Sequence, residues 1–229
     1  MSKTENDLVQ YLKEFITEER KELFEEKIEE RTRHLTVVLE NIFQSRNISA
    51  SIRSSDCFGI QDVHVIENDN LFEDDSEVSM GASKWINIKH YNKKSHNTAD
   101  AITQLKKKGY NIIAASPHNA DISLFDLDVI ESKIAIIFGS EVNGCSNEAL
   151  ELADCKMRIP MHGFTESFNI SVSVSLCLQH LCYNIRKSKL NWRLNNQEKN
   201  EVMLKWLRNS IKASADIEKQ FLENYNTLS

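Results

Sequence analysis

The spacing of apolar and polar positions changes twice along the chain. Residues 5–30 carry apolar side chains three and four positions apart, as at Leu8 and Leu12, and this spacing predicts a helix. Between residues 35 and 188 short apolar runs alternate with amphipathic stretches, and residues 196–225 return to helical spacing. The pattern therefore predicts an α/β core between two helical extensions.

Within the core, the apolar runs predict strands and the amphipathic stretches predict helices. The predicted strands are residues 35–39, 62–66, 85–88, 111–115, 133–138 and 156–160. The predicted helices are residues 47–59, 98–108, 146–152 and 167–187. Because strands and helices alternate, we predict an α/β fold with a mainly parallel sheet. The chain then divides into an N-terminal extension (1–34), an α/β domain (35–188) and a C-terminal extension (189–229).

The composition is that of a globular protein, with 41% hydrophobic and 27% charged residues among 229. The longest apolar runs, such as residues 134–138, are far shorter than the roughly 20 residues of a membrane span, so we expect no membrane association. The first residues lack the apolar core of a secretion signal. The five cysteines form no Cys-x-x-Cys pair. We therefore expect reduced thiols and a cytoplasmic location.

A net charge of −6 argues against a nucleic-acid partner, but the basic residues are clustered. The clusters lie at residues 31–34, 84–96, 106–108 and 186–193. Each cluster alone is typical of a solvated helix face or loop. The charge pattern therefore leaves RNA binding open.

The loop after the strand at 133–138 is the first candidate site. It contains Gly139 and Gly144, with the carboxylate of Glu141 between them, and Ser146 is expected to cap the helix that follows. Ligands of open α/β sheets bind at the carboxyl ends of strands, where glycines let the backbone approach closely. The loop matches neither the dinucleotide-binding nor the P-loop pattern, and a plain strand–helix turn remains the alternative.

Two further stretches carry polar residues at helix starts. Ser167 and Asn169 follow the strand at 156–160, and Ser167 is a candidate N-cap. Asn47 is expected to cap the helix at 47–59, which carries Arg53. A surface ion pair is the alternative role for that arginine.

Taken together, three ordered motifs resemble one family. Asn-x5-Arg (47–53), Phe-Gly-x-Glu-x-x-Gly (138–144) and Ile-Pro-Met-x-Gly-x-x-x-Ser-x-Asn (159–169) are similar to the SpoU branch of the SPOUT methyltransferases. Residues 81–85 match a further family element. Within the family the chain most resembles the tRNA guanosine 2′-O-methyltransferases that act in the D-loop. Related ribosomal RNA enzymes usually carry a separate N-terminal RNA-binding domain. The chain departs from the family at residues 44–46, usually Lys-Pro-His, and at Phe168, usually leucine.

The resemblance implies a trefoil-knotted α/β domain that binds S-adenosylmethionine without a metal. The residues that match the cofactor site are Ser116, Gly139, Gly144, Ile159, Met161 and Phe168. The residues that match the catalytic site are Arg53, Asn47, Glu141, Ser167 and Asn169. In that family the arginine activates the ribose hydroxyl.

The resemblance also implies two partners. One is tRNA, which we expect to contact Arg31, Arg33, His34 and Arg46. The other is a second copy of the chain, packed against the helix after Asn169 through Val172, Leu176, Leu178 and Leu181. Two alternatives stay open, namely a ribosomal RNA target and an inactive knotted RNA-binding protein. A nicotinamide oxidoreductase is disfavoured because no Gly-x-Gly-x-x-Gly motif follows an early strand.

Overall fold

The computed structural model describes residues 3–118, 120–128 and 132–228. The chain forms two compact units. One comprises residues 32–192, and the other comprises the residues up to 31 together with those from 193 onward. Among the described residues, no helix is both long enough and apolar enough to cross a membrane.

The larger unit is built on a seven-stranded sheet. Its strands are β1 (Leu35–Glu40), β2 (Asp62–Ile66), β3 (Asn87–Tyr91), β4 (Tyr110–Ala115), β5 (Ile122–Ser123), β6 (Lys133–Phe138) and β7 (Cys155–Arg158). The strand order is β3-β2-β1-β6-β4-β7-β5, and all pairings among these strands are parallel. The predicted α/β fold with a mainly parallel sheet is therefore confirmed. The threading of the chain that a knot requires stays a prediction.

The helices are numbered along the whole chain. They are α1 (Lys3–Lys13), α2 (Glu18–Glu29), α3 (Ser45–Cys57), α4 (Ser76–Ser79), α5 (Thr98–Lys107), α6 (Asn147–Leu152), α7 (Ile170–Lys187), α8 (Asn196–Ser210) and α9 (Ser214–Leu228). Short 3₁₀ turns lie at Ala82–Lys84 and Leu124–Asp126. Helices α3 to α7 belong to the larger unit.

Successive side chains of β1 alternate between the two faces of the sheet, as the pleat requires. Val37 packs in a core with residues of α3 and α7, whereas Val38 packs in a second core with residues of α5 and α6. Every residue of β1 is buried because both faces are covered. The carboxyl ends of the central strands are thereby fixed, and the candidate loops start there.

The smaller unit consists of helices α1, α2, α8 and α9. Its core contains Trp206, whose ring lies 5.4 Å from that of Phe24, centroid to centroid. A capping box between Asn195 and Glu198 starts α8. Helices α8 and α9 are separated near Ala213, which has a φ of 59°.

Several predicted boundaries are wrong. The single helix at 5–30 is two helices, because Thr17 caps α2 with a side chain that accepts a hydrogen bond from the Arg20 amide. The strand predicted at 85–88 begins at Asn87, since Trp85 ends a 3₁₀ turn. Helix α4 and strand β5 were not predicted, because elements of four and two residues have no measurable period.

The predicted caps of α3 and α7 are also wrong. Helix α3 begins at Ser45, so Asn47 lies inside its first turn rather than at its cap. Helix α7 begins at Ile170, and Asn169, not Ser167, is the cap whose side chain accepts a hydrogen bond from the Ser171 amide. The predicted cap of α6, Ser146, is confirmed by the hydrogen bond it accepts from the Ala149 amide.

Candidate active site

A cavity of about 690 Å³ lies at the carboxyl ends of β4, β6 and β7. Its volume is within the range of roughly 300–1,000 Å³ that is typical of small-molecule sites. All six residues expected at the cofactor site line it, namely Ser116, Gly139, Gly144, Ile159, Met161 and Phe168. The wall is therefore formed by the loops after three neighbouring strands, as expected for an open α/β sheet.

The loop after β6 turns tightly on its two glycines. The amides and carbonyls of Ser140 and Gly144 pair with each other at 3.0 and 2.9 Å. A Cβ atom added to Gly139 would lie 2.0 Å from backbone atoms of Gly144 and Cys145. The backbone can close on itself in this way only because residue 139 has no side chain.

The end of this loop is fixed by Glu40, a residue that the sequence reasoning missed. Glu40 is the last residue of β1 and is only 2% exposed. Its carboxyl group accepts hydrogen bonds from the Ser146 amide (2.9 Å), the Ser146 hydroxyl (2.6 Å) and the Thr98 hydroxyl (2.7 Å). The signal that could have revealed it is an acidic residue directly after an apolar strand, where burial requires partners.

Glu141 joins the first and second motifs. Its carboxylate accepts hydrogen bonds from the backbone amides of Phe43 (3.0 Å) and Gln44 (3.3 Å) and from the side-chain nitrogen of Asn47 (2.7 Å). Partial burial by itself raises the pKa of Glu141, but these hydrogen bonds to the charged form lower it below its ordinary value. Glu141 is thus an ionised acceptor that holds the start of α3.

Asn169 joins the third motif to the other two. Its side-chain nitrogen donates a hydrogen bond to the side-chain oxygen of Asn47 at 3.1 Å. Its own side-chain oxygen accepts from the amide and the hydroxyl of Ser171, at 2.9 and 2.7 Å. Glu141, Asn47 and Asn169 therefore form one continuous network across the three motifs.

The two remaining catalytic candidates, Ser167 and Arg53, differ in whether they line the cavity. Ser167 lines the cavity beside Asn169. Arg53 lies on the exposed face of α3 and is not among the lining residues. Within the described ranges, no hydrogen bond or ion pair involves the Arg53 guanidinium. The structure thus brings together four of the five predicted catalytic residues and leaves Arg53 outside.

The residues expected to contact RNA are mostly not at the surface. Arg31 is 7% exposed and its guanidinium lies 5.1 Å from the centre of the Trp206 ring. His34 is also 7% exposed, and Arg33 pairs with Asp62 at 3.0 Å. An RNA phosphate needs an accessible cation, so the expectation for these three residues is not supported by their placement.

Arg46 is different, because its side chain remains 80% exposed even though its Nε pairs with Asp75 at 3.2 Å. It is therefore the one member of the predicted RNA-binding set that the structure presents to solvent. In the described part of the chain, no group of three or more histidine, cysteine or acidic side chains could hold a metal ion.

Comparison with known proteins gives consistent matches. The profile of the SpoU rRNA Methylase family matches residues 34–179. A tRNA (guanosine(18)-2′-O)-methyltransferase of Borreliella burgdorferi is 43% identical over 213 residues, which cover 93% of each chain. Among solved structures, an Aquifex aeolicus TrmH/SpoU tRNA modifying enzyme superposes with a TM-score of 0.75 at 24% identity, over 85% of this chain and 98% of that one.

A second solved structure also superposes on this chain. The SpoU methyltransferase AviRb from Streptomyces viridochromogenes, solved in complex with the cofactor AdoMet, has a TM-score of 0.58 at 21% identity, over 72% of this chain and 62% of that one. At these identities the two structures establish the fold. The family profile spans most of the chain and the sequence relative nearly all of it. The chain belongs to the SpoU rRNA methylase family.

Proposed function

We propose that this protein transfers a methyl group from S-adenosylmethionine to the 2′-hydroxyl of a ribose in RNA, namely a guanosine in the D-loop of tRNA. The observation that carries the proposal is the cavity lined by the second and third motifs, whose Glu141 and Asn169 are both hydrogen-bonded to Asn47 of the first motif. The choice of tRNA is supported by the name of the Borreliella burgdorferi relative. With that substrate we expect a cytoplasmic location.

The residues around the cavity fit S-adenosylmethionine. The tight turn at Gly139, which a side chain there would prevent from closing, brings backbone amides and carbonyls to the wall of the cavity. Ile159, Met161 and Phe168 supply apolar wall on the opposite loop. This combination of backbone hydrogen-bonding groups and apolar surface suits an adenosine. AviRb, which shares the fold, was solved with this cofactor.

When bound, S-adenosylmethionine would supply a methyl group attached to a positively charged sulfur. The ribose oxygen takes the methyl group and the sulfur leaves as a neutral thioether. The protein has to hold that oxygen in line with the methyl group and let its proton leave. Glu141 is not the proton acceptor, because its carboxylate already accepts three hydrogen bonds. We assign to Glu141, Asn47 and Asn169 the alignment of the loops and the ribose, with Ser167 beside them.

Arg53 stabilises charge in this mechanism. A guanidinium has a pKa above about 12 and keeps its proton at neutral pH. We therefore assign it to a phosphate of the substrate and to the negative charge that develops on the ribose oxygen. The proton of the hydroxyl leaves to that phosphate and then to water.

We further propose that the protein acts as a homodimer, because Arg53 lies outside the cavity of its own chain. Val172 and Leu176 on α7 are both partly exposed apolar residues, as an interface requires. Leu178 and Leu181 are fully buried in the core of the single chain, so the expectation that they face a partner is wrong. In the dimer, we place Arg53 of one copy at the cavity of the other. Sedimentation equilibrium showing a monomer at micromolar concentration would contradict this.

The proposed activity is tested by mapping 2′-O-methylation in total RNA from a strain that lacks the gene. Loss of the modification from a D-loop guanosine of tRNA is the expected result. Loss from ribosomal RNA alone would favour the other substrate class. An unchanged map, together with a purified protein that binds RNA but not S-adenosylmethionine in isothermal titration, would support the inactive knotted protein instead.

A further inference from the structure

Phe43 is an aromatic side chain that the fold holds in solvent. It lies in the turn between β1 and α3 and is 72% exposed. Its neighbour Ile42 is buried, so the turn itself is anchored to the core. A single exposed apolar residue is ordinary on a protein surface. The backbone around Phe43, however, is fixed on both sides.

On one side the turn is fixed by Asn41, which has a left-handed backbone with a φ of 53°. The Asn41 side-chain oxygen accepts hydrogen bonds from the amides of Asp69 (2.9 Å) and Asn70 (3.0 Å). On the other side the Phe43 amide donates to the Glu141 carboxylate at 3.0 Å. Asparagine adopts this left-handed conformation more readily than most residues, and here its side-chain hydrogen bonds hold the turn in place.

The position of Phe43 is next to the proposed site of methyl transfer. Glu141 lines the cavity and also binds Asn47, so the Phe43 backbone shares a hydrogen-bond acceptor with the network that joins the three motifs. A ribose brought to this network carries a base, and the adjoining nucleotides carry others. Phe43 does not itself line the cavity, but its amide is bonded to Glu141, which does, so its exposed ring lies near the path of a strand that enters the cavity.

A cation accompanies the ring. Arg46 lies three residues further on, in the first turn of α3; its Nε pairs with Asp75 at 3.2 Å, and 80% of its side chain stays exposed to meet a phosphate. Proteins recognise unpaired RNA by stacking bases on aromatic side chains while cations contact the phosphates. An exposed ring beside an exposed guanidinium favours a nucleic acid over an apolar protein surface as the occupant.

We propose that Phe43 is a stacking platform for a base of the RNA segment that enters the cavity, with Arg46 contacting its backbone. This inference rests on the proposed function, because it takes RNA as the substrate. The ring lowers the free energy of bound RNA without touching the methyl donor. It is a residue for substrate binding, distinct from the cofactor site.

Steady-state methylation of a tRNA transcript by Phe43→Leu and Phe43→Trp tests the inference. One stacked base corresponds to a change of about 5- to 150-fold in RNA affinity. We expect KM for tRNA to rise by about that factor in Phe43→Leu and to return close to the wild-type value in Phe43→Trp, with KM for S-adenosylmethionine unchanged. Phe125→Leu is the matched control, because Phe125 is an exposed aromatic residue whose amide is bonded to Ser123 rather than to Glu141 of the motif network.

Two further measurements separate the possible failures. In Phe43→Trp, added tRNA should quench the extra tryptophan fluorescence even without methyl donor, and an unquenched signal overturns the inference. A wild-type KM for tRNA in Phe43→Leu also overturns the inference. So does a changed oligomeric state of Phe43→Leu in sedimentation, because the ring would then pack against a second copy of the chain. If wild-type protein methylates no RNA while Phe43→Trp is quenched by tRNA, the proposed function fails and the stacking platform stands.

Discussion

Adding a single methyl group at Gly139 should disrupt the loop after β6 more than the same change at any other glycine compared below. In Gly139→Ala the new Cβ atom would lie 2.0 Å from backbone atoms of Gly144 and Cys145, whereas real Cβ contacts essentially never fall below 3.0 Å. The loop after β6 therefore has to open by at least about 1 Å. That movement breaks the two hydrogen bonds between Ser140 and Gly144.

The energetic effect follows from these contacts. Overpacking costs about 1–3 kcal/mol, and each lost backbone hydrogen bond costs about 1 kcal/mol. A total of about 3–5 kcal/mol, expressed in the loop proposed to bind the cofactor, corresponds to at least about 100-fold weaker binding of S-adenosylmethionine. Isothermal titration measures this affinity directly, and calorimetric unfolding reports whether the fold persists.

Two other glycines provide matched controls. Gly144 has a φ of 67° but no atom within 4 Å of an added Cβ, so Gly144→Ala carries only the strain of a left-handed alanine, roughly 1–2 kcal/mol. Gly163 has neither restriction, since the closest atom would lie 4.0 Å away. We expect the loss of affinity to be greatest at Gly139, smaller at Gly144 and absent at Gly163. A Gly139→Ala protein that binds the cofactor as tightly as wild type would refute the reasoning.

Four other expectations follow from the site. Glu40→Gln should destabilise the fold by about 2 kcal/mol in thermal unfolding and weaken cofactor binding, because an amide offers one acceptor oxygen to three donors; an unchanged unfolding curve would contradict this. The pKa of Glu141 is lowered on folding. The ionised Glu141 therefore stabilises the folded protein above its unfolded pKa of about 4.3, and this stabilisation is lost as the pH falls through the folded pKa. Glu141→Gln should remove this contribution from the dependence of unfolding on acid pH. Arg53→Ala should lose methyl transfer and keep cofactor binding, and Arg53→Lys should stay nearly inactive if the planar guanidinium grips a phosphate; full activity of the alanine variant would remove Arg53 from the mechanism. Burial raises the pKa of the Cys145 thiol to about 12, so alkylation at pH 8 should label exposed Cys57 and spare Cys145 in peptide mass spectra.

The parallel α/β fold could be predicted from the sequence because its strands are buried on both faces. Runs such as Lys133–Phe138 are apolar almost throughout, and the helices between them keep a clear period. Boundaries were less predictable where a side chain had two possible roles. Asn47 has the residue type of a helix cap, yet its side chain turns to Glu141, a residue 94 positions away. Sequence spacing contains no information on that contact.

The residues that line the cavity were more predictable than the accessibility of the cations expected to contact RNA. Glycine positions in a loop report local backbone geometry, and Gly139 and Gly144 both line the cavity as expected. A basic cluster, in contrast, does not reveal which cations are accessible. Arg31 is covered by Trp206, a contact between residues 175 positions apart, and only the folded chain shows this. For the same reason the pattern could not identify Phe43 as an exposed aromatic residue.

The central claim is tested most directly by incubating the purified protein with S-adenosylmethionine, labelled in its methyl group, and two tRNA transcripts. One transcript is unmodified, and the other carries a 2′-deoxy sugar at the D-loop guanosine that is methylated in the first. We predict that the label enters the ribose of that guanosine and is lost with the deoxy sugar, because the methyl acceptor is the 2′-oxygen. Equal labelling of the two transcripts, or binding of both substrates without transfer, would contradict the account.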